Sequence, residues 1–185
     1  LEKATAGTTV AGANTIAAQN LTFNVNGENT TIAVAADSSA KQIAADLSSQ
    51  VGGLTGAAAT TATIQFTNDG TTGGATDTYT INGNTLTVDM TNGTLGATTG
   101  AAKAAALKTA IDANAALSAS LTASVSDDTI TLVDADGDNI AFTIGSGNTA
   151  DASDITFDSN GQGDNVALTE NGNNVGVAVG AITLT

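Results

Sequence analysis

The sequence predicts an α+β fold built from tandem ββαβ units, whose small antiparallel sheets each have one covering helix, followed by a β-rich C-terminal segment. Two observations favour this fold. The hexapeptide at residues 22–27 (TFNVNG) returns at residues 78–83 (TYTING), so the chain contains an internal repeat. After each copy, the spacing of apolar residues lengthens from two, typical of strands, to between three and four, typical of helices.

Each copy of the hexapeptide predicts a strand that ends in a hairpin turn. Its apolar and polar residues alternate, as in a half-buried strand, and Asn-Gly supplies the positive φ angles of a tight turn. Returning strands are predicted at residues 31–34 and 85–88. The sequence therefore places a two-stranded hairpin at the start of each unit.

A helix and a third strand are predicted after each hairpin. In the first unit, Asp37 or Ser38 can cap a helix that extends to about residue 50, where a Gly-Gly pair ends it. In the second unit, the Ala-rich stretch 101–117 predicts the helix. A third strand is then predicted in each unit, at 63–66 and 129–132, and each ends at an Asp-Gly turn, Asp69-Gly70 and Asp136-Gly137. A closing strand is predicted at 140–144 in the second unit.

An abridged third copy begins at residue 155, where ITFDSNG echoes residues 21–27, and it lacks a helix. Short strands are predicted near 166–169, 175–179 and 182–184. The polar stretch 145–154 is the best candidate for a linker, whereas residues 1–19 are weakly patterned. We therefore predict a first unit at 1–75 that 149–185 can complete, with a second unit at 76–148 inserted into it. A serial arrangement of independent units is the open alternative.

The charge balance excludes two classes of partner. The 185 residues contain 4 Lys and Arg against 18 Asp and Glu, a formal net charge of −14. Nucleic acids and anionic membranes are bound through clusters of Lys and Arg, so we expect neither as a partner. The same charge makes copies of the chain repel one another, so we expect a monomer. The chain starts at Leu1 without a signal-peptide pattern, and we expect it to be part of a longer protein.

The stretch 78–144, which contains TINGNTLTV and LKTAIDANAALSASLTASVSDDTITLVDADGDNIAFTI, resembles the IN-motif repeats of flagellins and flagellar hook-associated proteins. Residues 21–66 match the motif more loosely, with Val25 in place of its Ile. The second helix also departs from the motif, because Ile111-Asp112 stands where the family prefers Ile-Asn. The resemblance points to the outer, variable region of a flagellin, the D2/D3-type domains.

This resemblance implies a structural role at the cell exterior. It implies a secreted, antigenic domain that decorates the bacterial flagellar filament, whose subunits polymerise through terminal regions outside this chain. Implied partners are other flagellin subunits and host antibodies or receptors. The same motif also fits a filament cap or hook-associated protein. A calcium-dependent adhesin or surface-layer module is the alternative from another class.

We expect no catalysis and no cofactor. The chain contains no His and no Cys, which removes the usual general base and the strongest nucleophile. Ser38 and Lys41 do form the Ser-x-x-Lys pattern of penicillin-recognising enzymes, but the companion Ser-Asp-Asn and Lys-Thr-Gly elements are missing. Eighteen carboxylates could include a glycosidase pair, yet one Tyr and no Trp offer little for sugar stacking.

One acidic turn is a weak candidate for calcium. Asp134, Asp136 and Asp138 stand at alternate positions, as in an EF-hand loop, but Gly137 falls at the fourth position and Gly145 stands where the twelfth requires Glu. A simple acidic hairpin is the favoured interpretation. A second group of acidic residues and three Asn-x-Thr sequons are weaker candidates: Asp151, Asp154, Asp158 and Asp164; Asn20, Asn29 and Asn92. The sequence does not decide which site, if any, is glycosylated.

Overall fold

The computed structural model describes residues 14, 16–66, 76–89, 99–145, 155–160, 165–169 and 174–185. Over these residues the fold is mixed α/β and rich in strands, and every strand pair is antiparallel. The helices are α1 (Ala40–Gln50), α2 (Gly100–Ala113) and α3 (Ala115–Ser118). The strands are β1 (Gln19–Val25), β2 (Glu28–Val34), β3 (Gly56–Phe66), β4 (Thr76–Ile81), β5 (Asn84–Asp89), β6 (Leu121–Ser126), β7 (Thr129–Asp134), β8 (Ile140–Ile144), β9 (Ile155–Ser159), β10 (Val166–Leu168), β11 (Val175–Ala178) and β12 (Ala181–Leu184).

Both predicted Asn-Gly hairpins are present, as β1–β2 and β4–β5. The φ angles are 54° and 87° at Asn26 and Gly27, and 48° and 80° at Asn82 and Gly83. Positive φ at both central residues is the property that a type I′ turn requires. The two copies of the hexapeptide therefore fold into the same local structure.

The N-cap of helix α1 lies one residue after Ser38 and two after Asp37, the two predicted caps. Ser39 is the N-cap: its hydroxyl accepts the Gln42 backbone N–H at 3.3 Å, and the Gln42 side chain accepts the Ser39 backbone N–H at 2.9 Å. This reciprocal capping box satisfies two donors that the helix start leaves open. The predicted caps have other partners, since Asp37 accepts the Asn14 backbone N–H and Ser38 donates to a backbone carbonyl.

The second predicted helix is interrupted, and a strand follows that was not predicted. Helix α2 ends at Ala113, and the Asn114 side chain accepts the backbone N–H groups of Ala116 and Leu117, both at 3.1 Å, to start α3. Strand β6 then pairs with β7, so the second unit has an additional hairpin. The β6 sequence LTASVS does alternate apolar and polar residues, so the signal for this strand was present in the sequence.

The third strands of the units lie together in one sheet. This sheet has six strands in the order β10-β9-β3-β7-β6, and β12 also pairs with β3. The prediction gave each unit its own small sheet; instead β3 of the first unit pairs with β7 of the second and with β9 and β12. Ala62, Ile64 and Phe66 on β3 are at most 2% exposed, a degree of burial that one hairpin and one helix cannot supply.

A four-stranded sheet, in the order β11-β8-β4-β5, faces the larger one across the main core. A row of aromatic rings joins the two sheets: Phe66 meets Tyr79 edge-on at 6.3 Å, Tyr79 stacks on Phe142 at 5.6 Å, and Phe142 stacks on Phe157 at 6.3 Å. Such pairs stabilise a core beyond the area that they bury. The aromatic residues, few as they are in this chain, are therefore concentrated where the two sheets meet.

A separate small core lies between the β1–β2 hairpin and α1. It is formed by the buried residues Ile16, Ile32, Val34, Ile43, Leu47, Val51 and Val179. Leu21, Phe23 and Val25 on β1 are only half-buried against it. In the described part of the chain, the helices fall short of the length and hydropathy that crossing a membrane would need.

Candidate functional site

The acidic turn, residues 134–139 between β7 and β8, is built around the carboxylate of Asp134. Asp134 is 3% exposed, and its Oδ1 accepts the backbone N–H groups of Asp136, Gly137 and Asp138 at 2.9, 3.0 and 3.3 Å. A carboxylate that receives its own following N–H groups mimics a backbone turn. This oxygen therefore shapes the loop.

Gly137 fixes the path of the acidic turn against β3. Its φ is +82°, a region that side chains other than glycine rarely adopt. A Cβ at this position would lie 2.4 Å from the Ala58 Cβ and 3.0 Å from the Ala58 carbonyl carbon. The turn packs so closely on β3 that only glycine fits there.

The first turn of α1 binds the other side of the acidic turn. The Lys41 backbone N–H donates to the Gly137 carbonyl at 3.1 Å, and Lys41 Nζ lies 2.8 Å from Asp138 Oδ2 and 3.3 Å from Asp136 Oδ2. The Ser39 hydroxyl adds a long hydrogen bond of 3.5 Å to Asp138. Hydrogen bonds to Asp138 and then to Asp136 raise the pKa of Lys41 above its ordinary range. The contacts connect helix α1 to the β7–β8 turn through exposed side chains.

The three carboxylates proposed for calcium face different partners. Asp134 faces backbone N–H groups, whereas Asp136 and Asp138 face the ammonium group of Lys41. Within the described ranges, no group of three or more acidic, His or Cys side chains is arranged to hold a metal ion. Calcium binding by Asp134, Asp136 and Asp138 stays a prediction, and it would require Lys41 to move away.

The Ser38 and Lys41 side chains of the Ser-x-x-Lys pattern, at the start of α1, also face different partners. The Ser38 hydroxyl donates to the Ala35 carbonyl at 2.9 Å, while Lys41 is paired with the acidic turn. Beside this pair lies a groove of about 330 Å³, lined by Lys41, residues 118–122 and the acidic turn. On the groove wall Lys41 is paired with Asp136 and Asp138, and Asp134 accepts backbone N–H groups of its own turn.

Only some of the weaker candidate residues, the second acidic group and the sequons, lie within the described ranges. Asp158 lies buried in β9, whereas Asp151, Asp154 and Asp164 lie outside the described residues. Of the sequons, Asn20 and Asn29 are exposed on β1 and β2, and Asn92 is outside the description. The Asp69-Gly70 turn, residues 1–13 and most of the predicted linker are outside it as well.

The structure adds one polar contact in the main core that the sequence analysis missed. Tyr79 Oη donates to Asp77 Oδ2 at 3.2 Å, and the two residues are 1% and 3% exposed. Burial, and then the neighbouring carboxylate, raise the pKa of Tyr79. The signal was available, because residues two apart on a strand face the same side and Tyr79 was expected to face the core.

No known protein family and no curated protein sequence matches this chain. The function of the chain has therefore to be argued from its repeat and its surface.

Proposed function

We propose that this chain is a structural, non-catalytic module of an extracellular bacterial assembly, namely the exposed outer region of a flagellin that decorates the flagellar filament. One observation carries the proposal: the repeated hexapeptide forms the same type I′ hairpin twice, each time followed by a side-chain-capped helix and by a strand of the shared sheet. This order of elements is the one that the resemblance to flagellin IN motifs implies.

The finer architecture in this proposal is a tandem of ββαβ units with the second unit inserted in the first. Pairing of β3 with β9 and β12 supports it, because strands from 149–185 then lie beside the strand that closes unit 1–75. The insertion would comprise residues 76–148. The aromatic row between Phe66, Tyr79 and Phe142 would be the packing that holds the insertion in place.

The surface supports a role in display. A formal net charge of −14 gives copies of the chain a repulsive surface, which suits domains that stand close together on a filament without sticking to each other. Polymerisation would then depend on other parts of the protein. The partners would be neighbouring flagellin subunits through those parts, and antibodies or receptors at the exposed surface.

Immunogold electron microscopy with antibodies raised against this chain tests the proposal on whole cells and sheared filaments. We expect label along the whole length of filaments. Label at the filament tip or base alone would instead identify a cap or hook-associated protein. Label spread over the cell envelope, with filaments bare, would contradict the flagellar assignment.

The calcium-dependent adhesin or surface-layer module has its own test in the melting temperature. Binding to the folded state alone would raise the melting temperature of the chain in proportion to the logarithm of the calcium concentration. We expect no shift at millimolar calcium, because Asp134 and Lys41 already engage the acidic turn. A shift that Asp136→Ala abolishes would support the adhesin over the flagellin.

A further inference from the structure

The two Asn-Gly turns form a matched pair within one molecule. Asn26-Gly27 and Asn82-Gly83 share the dipeptide, the turn type and φ angles within a few degrees, and all four residues are exposed. Neither glycine has an atom within 4 Å of where a Cβ would lie. The two sites therefore differ in the hydrogen bonds of their asparagines and in the residues on either side.

Those contacts differ. Asn82 Oδ1 accepts the Ala141 backbone N–H at 2.8 Å, and the Asn82 backbone N–H donates to the Ala141 carbonyl at 3.0 Å. Strand β8 therefore holds both the side chain and the backbone of Asn82. The Asn26 side chain makes no hydrogen bond with any residue that the structure describes. Among the described residues its hairpin forms a two-stranded sheet, β1 with β2, and no further strand pairs with it there.

An Asn-Gly dipeptide contains the groups for a self-catalysed reaction. The glycine backbone nitrogen loses its proton and attacks the asparagine Cγ; a C–N bond forms, the Cγ–Nδ2 bond breaks, and Nδ2 leaves as ammonia. Water then opens the resulting succinimide at either carbonyl and gives aspartate or isoaspartate. The net change is one water consumed and one ammonia released. The asparagine side chain has to turn toward the next residue for this attack.

We propose that Asn26-Gly27 is a site of spontaneous deamidation in the folded protein, and that Asn82-Gly83 is protected from the same reaction by its hydrogen bonds to Ala141. Attack at Asn82 first requires those bonds to open. Each such bond slows the reaction about fivefold, so the two together give a difference of about 25-fold.

Asn160 begins another of the five Asn-Gly pairs in the sequence and provides an internal check, whereas Asn92-Gly93 and Asn171-Gly172 lie outside the described residues. Asn160 Oδ1 accepts the Thr61 backbone N–H at 2.8 Å, and Asn160 Nδ2 donates to the Val179 carbonyl. Both ends of this amide are held, so Asn160 belongs with Asn82 among the protected sites. The prediction is thus a rank order, with Asn26 reacting before Asn82 and Asn160.

The product would alter the first hairpin. Deamidation adds one negative charge two residues before Glu28, and isoaspartate adds a methylene group to the backbone of a turn that tolerates only two residues of defined φ. Strand register in a hairpin is set by its turn. The β1–β2 pairing would therefore loosen with the age of the molecule, while β4–β5 stays intact.

The test follows the intact chain during storage at mildly alkaline pH and body temperature. Samples are digested with trypsin at intervals, and mass spectrometry with electron-transfer fragmentation measures the deamidated fraction at each asparagine and separates isoaspartate from aspartate. We expect about 25-fold faster conversion at Asn26 than at Asn82 and Asn160, with isoaspartate among the products. Equal rates at Asn26 and Asn82, or faster conversion at Asn82, would overturn the proposal.

Two controls assign the cause. The same chain unfolded in concentrated urea should react at Asn26 and Asn82 at similar rates, because the Ala141 bonds are gone. A ratio that persists in urea would show that neighbouring sequence sets the difference, which would overturn the protective role of β8. Asn26→Gln should abolish fast conversion at position 26 itself, read from the peptide that carries it, and leave conversion at Asn82 unchanged.

Discussion

The two copies of the hexapeptide share a turn but differ in burial. Phe23 and Val25 of the first copy are half-exposed on a two-stranded sheet, whereas the equivalent Tyr79 and Ile81 are 1% and 0% exposed. The difference comes from β8, which pairs with β4, and from the large sheet that covers the other side of the main core. Local sequence therefore determines the turn, and long-range strand pairing determines how much the same strand contributes to stability.

The largest expected difference is at the residue before each turn. Ile81→Ala removes a fully buried side chain from the main core and should lower the free energy of unfolding by about 2–5 kcal/mol. Val25→Ala, at the equivalent half-buried site, should cost about 1 kcal/mol or less, because less surface is lost and the edge can relax. Urea denaturation followed by circular dichroism measures both. Equal costs would show that the first hairpin is as tightly packed as the second.

Alkaline pH should weaken the second hairpin through Tyr79, the only tyrosine in the chain. The pKa of Tyr79 is raised in the folded state, so its stabilisation is complete below the ordinary tyrosine pKa and is lost as the pH rises above it. Above about pH 10, each pH unit should cost about 1.4 kcal/mol.

Urea denaturation midpoints, measured from neutral to strongly alkaline pH, report this loss of stability. Tyr79→Phe is the control, because it removes the tyrosine hydroxyl and leaves every lysine in place. The variant should show a shallower decline. Tyrosinate absorbance should appear together with unfolding; its appearance in the folded chain at ordinary tyrosine pKa would contradict the burial of this ring.

The asparagines of the two turns should differ by one hydrogen bond. Asn26→Ala and Asn82→Ala both lose the tolerance of asparagine for positive φ, which costs about 1 kcal/mol. Only Asn82→Ala also leaves the Ala141 N–H without its acceptor, for about 1 kcal/mol more. Thermal unfolding of the two variants measures the difference, which is the contribution of the hydrogen bond from Ala141 to Asn82. An equal loss of stability in both variants would show that this hydrogen bond does not stabilise the second turn.

The smallest expected effect concerns the link between the two units. Lys41→Ala removes exposed ion pairs with Asp136 and Asp138, which water and salt already weaken, so we expect no measurable shift of the urea midpoint near neutral pH. The backbone bond to Gly137 remains in this variant. Because the pKa of Lys41 is raised, any contribution would be present at neutral pH and lost only at strongly alkaline pH. A clear loss of stability at neutral pH would show that these charges hold the units together.

The sequence predicted the local features well and the long-range ones poorly. Asn82-Gly83 specifies its turn through the backbone preference of two residues, and the helix from about residue 40 to 50 follows from its apolar spacing. The partner of Lys41 could not be predicted from the sequence, because Asp136 lies 95 positions away and nothing in its local sequence distinguishes it from other surface aspartates. The pairing of β3 with β7, β9 and β12 was not predicted for the same reason, since strand partners depend on the whole chain.

The central position of β3 has a consequence for the way the chain folds. Its neighbours β7, β9 and β12 are all synthesised later, and Thr55, just before β3, exchanges backbone hydrogen bonds with Thr185, 130 positions further along the chain. Contacts of such long range form slowly, because the entropy cost of closing a large loop comes before the contacts can stabilise the fold. A growing chain therefore holds β3 with both edges open until its last partners arrive. The folding rate should respond more strongly to substitutions in β3 than to any change in the two hairpin turns.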